Sequence, residues 1–127
     1  MKISQLFKSS AKILDESLDE HVTSVFTEEL HSQCKLWVIR DENGFLILHH
    51  DNGSCIPVWS DRYKMLSFLE GKNDTRWRSM AVPVHLFFTV WWPEVRHLTK
   101  GVGINWCGKG SQECIVSGEE FERLAGR

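Results

Sequence analysis

Cysteine is the residue type of this sequence with the widest chemistry, because a thiolate can bind a metal, form a disulfide or attack a substrate. The chain has four cysteines, and no two of them form a Cys-x-x-Cys pair, the spacing typical of zinc and redox sites. They are Cys34, Cys55, Cys107 and Cys114. We predict structural thiols and no metal ion, with Cys107 and Cys114 as neighbours across a hairpin.

Histidine could supply a general base or a further metal ligand. His49 and His50 are adjacent on a predicted strand, so their side chains point to opposite faces and do not easily chelate one ion. Cys55 is close to His49 across a predicted hairpin, and Cys107 could approach His97. A small enzyme that uses a Cys/His pair is therefore the alternative function. No motif supports it further, and we predict no catalytic residue and no cofactor.

Tryptophan is the most unusual feature of the composition, with six residues in 127. Trp59 and Trp77 lie at the ends of predicted elements, and arginines flank Trp77. Tryptophan and arginine are the residues most enriched at binding hot spots. We predict a surface that contacts another protein, or a second copy of this chain, and that includes Trp59, Arg62, Trp77 and Arg78. An indole beside guanidinium groups would suit an acidic or aromatic anchor on the partner.

The distribution of charge argues against nucleic acid and membranes as partners. Fifteen basic and 17 acidic residues give a net charge of −2, and no run of one sign occurs. A single strand of nucleic acid on Arg62, Arg76, Trp77 and Arg78 is the third function considered, but it would need a more concentrated basic surface. No stretch approaches the ~18 apolar residues of a membrane span, and lysines and serines interrupt any signal peptide. We expect a cytoplasmic protein.

Hydrophobic periodicity predicts a helical N-terminal segment over residues 1–33, with one helix at 3–14 and a second through Leu30. Residues 34–127 would form an α+β core. The core begins with three short apolar runs, at 34–40, 45–50 and 54–59, separated by Asn-Gly turns. Such turns join adjacent antiparallel strands, so we predict a three-stranded meander.

The rest of the core alternates between helices and strands without strict order. In chain order we predict a helix capped by Ser60 or Asp61, a strand at 77–82, a helix at 83–99 kinked by Pro93, a late hairpin, and a last helix capped by Ser117. This order predicts one α+β domain over residues 1–127 with a largely antiparallel sheet.

The stretch from Trp37 to Leu124 resembles a family of small bacterial proteins known as domain of unknown function 2750. The residues that carry this resemblance are Trp37, Asn43-Gly44-Phe45, Ile56-Pro57-Val58-Trp59, Val82-Pro83, Trp91-Trp92-Pro93 and Ile115-Val116-Ser117. More distantly, the run Gly101 to Asn105 is similar to a strand of the SseB-like domain. Neither resemblance implies a settled chemistry. We therefore expect a non-catalytic protein-binding module, such as an adaptor, a regulator or an immunity-type inhibitor.

Overall fold

The computed structural model describes residues 16–50, 53–72, 74–107 and 114–127, and the helix predicted at 3–14 lies outside them. Its α+β class is as predicted. The helices are α1 (Glu16–Gln33), α2 (Arg62–Glu70), α3 (Val84–Leu86), α4 (Trp92–Val95) and α5 (Gly118–Leu124), with a π-helical segment, Phe87–Trp91, between α3 and α4. The strands are β1 (Lys35–Asp41), β2 (Gly44–Phe45), β3 (Leu48–His50), β4 (Gly53–Val58), β5 (Arg78–Pro83), β6 (Gly101–Ile104) and β7 (Cys114–Val116).

The strands form two sheets that a single bridge connects. In the first sheet, β1 pairs antiparallel with β2 on one side and β5 on the other. In the second, β4 lies between β3 and β6, and β7 pairs with β6. The β4–β6 pairing is parallel and the other ladders are antiparallel. Trp37 and Trp59 exchange backbone hydrogen bonds of 2.8 and 3.0 Å, which tie β1 to the end of β4.

The predicted three-stranded meander is wrong in one respect, because its second strand divides between the two sheets. Gly44 and Phe45 pair with β1, whereas the strand from Leu48 pairs with β4. Burial nevertheless alternates through the break, since Leu46 and Leu48 are buried in one core and Phe45 and Ile47 pack against the other. Apolar alternation therefore sets the two faces of this segment, and it does not set the hydrogen-bonding partner.

Strand β1 separates two cores because its side chains alternate between its two faces. Leu36 and Val38 belong to the large core, which also holds side chains of α1, the 84–95 helical segment and α5. Ile39 belongs to the small core, which β4 shares with α2 through Met65 and Phe68. The sheet thus lies between α2 on one side and the other helices on the opposite side.

The helical segment from Val84 ends at Val95, earlier than the predicted 83–99 helix, and Pro83 belongs to β5. Pro93 has no N–H to donate to the preceding turn. The π-helical segment ends two residues before this proline, and prolines and π-bulges are both common sites of helix distortion. Other helix starts agree with the sequence, because the Asp61 carboxylate caps α2 and the Ser117 hydroxyl caps α5.

Among the residues that the structure describes, no helix is long and apolar enough to cross a membrane. The same ranges contain no group of three or more histidine, cysteine, aspartate or glutamate side chains that could hold a metal ion.

Candidate functional site

Trp59, one of the four residues predicted to form a contact surface, lies inside the protein. Its side chain is 0% exposed, and its ring centroid lies 5.4 Å from that of Phe68 in the small core. The indole Nε1 donates a hydrogen bond of 2.8 Å to the backbone oxygen of Trp106. A ring without exposed area cannot touch a partner, so we correct the expectation and assign Trp59 to the core.

The other three predicted residues lie at or near the protein surface. Arg62 is exposed at the start of α2, with its guanidinium 5.9 Å from the ring centroid of Tyr63. Trp77 is half-buried against the small core, and Arg78 is exposed as the first residue of β5. Trp77 and Arg78 are adjacent in the chain, whereas Arg62 belongs to a different element.

A pair of arginines lies at the start of β5. Arg78 is opposite Arg40 in the antiparallel β1–β5 ladder, so the two side chains share one face of the sheet. The Arg40 guanidinium lies 5.7 Å from the ring centroid of Phe45 and 5.9 Å from that of Trp91. Like charges opposite each other destabilise a ladder, and the described residues show no carboxylate paired with either arginine. This corner of the sheet is suited to an anionic partner.

In the part of the chain that the structure describes, no strand pairs with the outer edge of β5. Val84 N donates to Cys34 O at 3.0 Å, and this pair continues the β1–β5 register. Because hydrogen-bonded and non-hydrogen-bonded pairs alternate in an antiparallel ladder, Ser79, Ala81 and Pro83 turn their backbone groups away from β1. Within the described ranges, no backbone group pairs with these outward N–H and C=O groups. Pro83 has no N–H, so Ser79 and Ala81 supply the outward donors.

Arg76 is not available in the same way as Arg78, because it is held by Asp74. Its Nε and terminal nitrogen donate hydrogen bonds of 3.0 and 2.7 Å to the two Asp74 oxygens. The guanidinium also lies 5.4 Å from the centroid of the Trp77 ring. These contacts hold Arg76 beside Trp77, whereas no carboxylate of the described residues pairs with Arg78.

We expect the Asp74 carboxyl group to titrate far below its usual range. Hydrogen bonds from the Arg76 side chain lower the pKa of Asp74 from 3.8 to about 2. A carboxylate with a depressed folded-state pKa contributes stability above its ordinary pKa of 3.8, and this contribution is lost as the pH falls through about 2. NMR titration of the side-chain carboxyl carbon measures the midpoint directly.

The Asp74 titration has a matched pair of variants. Arg76→Ala should return the midpoint toward 3.8, whereas Arg78→Ala, which removes a guanidinium without a recorded contact to Asp74, should leave it near 2. A midpoint near 3.8 in the unmodified protein would show that the Asp74–Arg76 pair does not persist in solution.

The structure also contains a cleft that the sequence did not indicate. It has a volume of about 520 Å³ and lies between α1 and α2, at the carboxyl ends of β4 and β6. This volume is in the usual range of small-molecule sites. Its lining comprises His21, Val22 and Val25 of α1, Tyr63, Lys64 and Ser67 of α2, and Ile104, Asn105, Trp106 and Cys107 from the end of β6 onward.

A polar network lies beside this cleft and holds two of its lining residues in place. Ser60 is 0% exposed, and its hydroxyl donates a 2.6 Å hydrogen bond to Glu29. Asn105 Oδ1 accepts from Ser60 N at 3.0 Å, and Asn105 Nδ2 donates to Ser60 Oγ at 3.2 Å. Lys64 Nζ lies 3.2 Å from Glu29 Oε1. Asn105 and Lys64 are thus anchored through Ser60 and Glu29.

The fold separates one of the two Cys/His pairs considered from the sequence, that of Cys55 and His49. In the β3–β4 ladder Cys55 is opposite Leu48, whereas His49 is opposite Ser54. Cys55 is buried in the small core and His49 is exposed, so this thiol and this imidazole lie on opposite faces. Cys107 lines the cleft together with His21 of α1.

The predicted juxtaposition of Cys107 and Cys114 also differs from the observed register. The residue opposite Cys114 in the β6–β7 ladder is Ile104. Cys107 comes three residues later in the chain and is exposed, whereas Cys114 is buried.

Sequence reasoning missed the cleft because its walls come from three segments far apart in the chain. One local signal was available, because the sequence predicted that a strand ends just before Asp61 and that a helix follows directly. The key conformation at Asn105, a left-handed backbone with φ of 51°, has no counterpart in hydrophobic periodicity. The prediction that Trp77 and Arg78 contact a partner, by contrast, rests on composition and sequence neighbourhood alone.

Comparison with known proteins gives a family but no chemistry. A family model described as "Protein of unknown function (DUF2750)" matches residues 23–124, a range that begins within α1 and ends at the last residue of α5. The similarity to the SseB-like domain stays a prediction. No curated protein matches the chain. The site must therefore be interpreted from its own geometry.

Proposed function

Because this chain belongs to the DUF2750 family of proteins of unknown function, we propose from the geometry alone that it is a non-catalytic module that binds another protein. The partner contributes an extended, acidic segment that lies along the outer edge of β5. The observation that carries this proposal is the unpaired edge at Ser79 and Ala81. Strand addition to such an edge is a common mode of peptide recognition.

The exposure of β5 supports this role. Ser79 and Ala81 are exposed and have small side chains, so a second strand can approach their backbone without displacing a bulky group. In soluble proteins, free edges of this length are usually protected by charges, prolines or a covering segment. Here one outward position is Pro83, which ends the available edge and limits the added strand to a few residues.

Charge supports an acidic partner over a second copy of the chain. Arg78 lies at the start of the edge with Arg40 beside it, and β5 itself carries no carboxylate. Two copies paired edge to edge would bring two such arginine pairs to one interface. A segment with aspartate or glutamate near one end would instead place its carboxylates beside these guanidinium groups, where charge-assisted hydrogen bonds form.

The experiment begins with selection from a displayed library of random peptides of about ten residues, the length of a typical strand plus its flanks. The selected peptides are then titrated into ¹⁵N-labelled protein. We expect enriched sequences to combine β-branched residues with acidic ones. Their binding should protect the Ser79 and Ala81 amides from hydrogen exchange, because these N–H groups become hydrogen-bonded. Ala81→Pro removes one outward donor without removing a donor to β1, and it should weaken binding at least about tenfold.

Charge reversal provides the matched comparison. Arg78→Glu should weaken binding of the same peptide at least about tenfold, whereas Arg62→Glu, at an exposed arginine on α2, should change it less than about twofold. The melting temperatures of all variants are measured alongside. Equal binding by Ala81→Pro and the unmodified protein, or peptides that shift resonances elsewhere, would contradict the proposal.

A further inference from the structure

We propose that the cleft between α1 and α2 is a separate binding site for a small monocarboxylate with an apolar or aromatic body. The position of the cleft is the first observation. β4 and β6 are adjacent and parallel, and the chain leaves both at the same edge of the sheet. From β4 it turns into α2, and from β6 it turns into residues 105–107. Ligands commonly bind at such carboxyl edges, where diverging segments leave an opening.

The walls of the cleft are built before any ligand arrives. Asn105 has a left-handed backbone, with φ of 51°, which is uncommon for a residue other than glycine. Two hydrogen bonds to the buried Ser60 hold its side chain in this position. Lys64 is held by the Glu29 carboxylate, with both oxygens within 3.3 Å of Nζ. Preorganised polar groups of this kind lower the entropic cost of binding.

Two side chains of the lining keep unused hydrogen-bond donors. Asn105 Nδ2 uses one of its two hydrogens on Ser60, and the Lys64 ammonium has three, of which Glu29 can take two. Tyr63 and Ser67 add hydroxyl groups. Among the described lining residues there is no aspartate or glutamate. A ligand that brings acceptor oxygens satisfies these donors, and a cationic ligand does not.

The number of cations limits the ligand to one negative charge. Lys64 is the permanent cation of the lining, and Glu29 already neutralises part of its field. A phosphate or a polyanion would need several guanidinium or ammonium groups to replace its hydration. A single carboxylate can share the Lys64 ammonium with Glu29 and accept a further hydrogen bond from Asn105.

The apolar part of the lining selects the body of the ligand. Val22 and Val25 face the cleft from α1, while Ile104 and Trp106, both buried, form its floor. A ring or a branched alkyl group against these side chains removes apolar surface from water. The observed volume of about 520 Å³ accommodates a molecule of roughly ten to twenty non-hydrogen atoms.

Titration of the full chain with three related compounds tests the charge preference. Phenylacetate, phenylacetamide and phenethylamine share a ring and differ in the charge of the head group. We expect phenylacetate to bind best, at least about fivefold tighter than the amide and tighter still than the amine. In ¹⁵N spectra the shifts should centre on residues 104–107 and on the cleft faces of α1 and α2. Tighter binding of the amide or amine, or no binding at ~10 mM, would overturn the proposal.

A blocking variant tests the location. Ser67 is exposed and lines the cleft, so Ser67→Trp should fill the opening without disturbing a core and should weaken phenylacetate binding at least about tenfold. Val90→Trp, on an exposed helix position outside the cleft, should leave the affinity unchanged. Lys64→Met should remove the preference for phenylacetate over the amide. Unchanged binding by Ser67→Trp would place the ligand elsewhere and refute this site.

Discussion

Replacement of Trp59 by alanine is expected to lower the free energy of unfolding by about 4 kcal/mol, as for other fully buried aromatic side chains. The ring has no exposed area and packs against Phe68. Its indole N–H is also a donor to the backbone oxygen of Trp106, inside the small core. A loss of this size is a large fraction of the free energy of unfolding of a typical domain, which is roughly 5–15 kcal/mol. Urea denaturation followed by circular dichroism measures it.

Two phenylalanine substitutions separate the hydrogen bond of Trp59 from its packing. Trp59→Phe retains most of the ring and loses the donor, so it should cost about 1–3 kcal/mol. Trp77→Phe is the matched control, because the described residues offer Trp77 Nε1 no hydrogen-bond partner although the atom is buried. It should cost less than about 1 kcal/mol, since removal of an unpaired buried donor partly offsets the lost ring area. Equal losses at both positions would contradict this account.

Replacement of Phe121 by alanine is expected to have an effect of similar size, about 3–5 kcal/mol, in the large core. Phe121 is 0% exposed and is the point at which α5 meets three other segments. Its ring centroid lies 5.0 Å from that of Trp92, 5.2 Å from that of Phe88 and 6.3 Å from that of Phe26. Aromatic pairs at such distances contribute about 0.5–1.5 kcal/mol each beyond the burial of their area.

The control for Phe121 is an exposed apolar residue on a neighbouring helix. Val90 is 53% exposed, and Val90→Ala should change the free energy of unfolding by less than about 0.5 kcal/mol. Hydrogen exchange should additionally show that Phe121→Ala exposes the amides of α5 before those of β1. If Phe121→Ala cost as little as Val90→Ala, the packing of α5 against the large core would not exist in solution.

The sequence predicted the candidate contact surface only in part, and the reason differs between its residues. Arg78 and Trp77 are adjacent, so their proximity needs no knowledge of the fold. The prediction placed Trp59 at the surface because the sequence around a tryptophan at the end of a strand does not show whether other segments cover its side chain. Its burial depends on Trp37 and Trp106, which are distant in the chain and reach it only through the sheet bridge and the turn after β6.

Local patterns determined the elements themselves. Asp61 and Ser117 cap the helices that their positions predicted, because a cap acts on backbone groups two or three residues away. The alternation of side chains between the two faces of β1 is local for the same reason, since a side chain's face follows from its immediate neighbours.

Only the tertiary structure decided which strands pair and what lies between the helices. The parallel contact of β4 with β6 joins segments more than 40 residues apart, and strand partners depend on the closure of long loops, which leaves no local signature. Pro57 shows the difference. A proline inside a sheet removes a ladder hydrogen bond, yet β4 is internal. The position of the missing N–H faces the gap between the Leu48–Cys55 pair and the Trp37–Trp59 bridge. The cleft depends on the pairing of β4 with β6 and the outer edge of β5 on the pairing of β5 with β1, and both were beyond what residue types and spacing could predict.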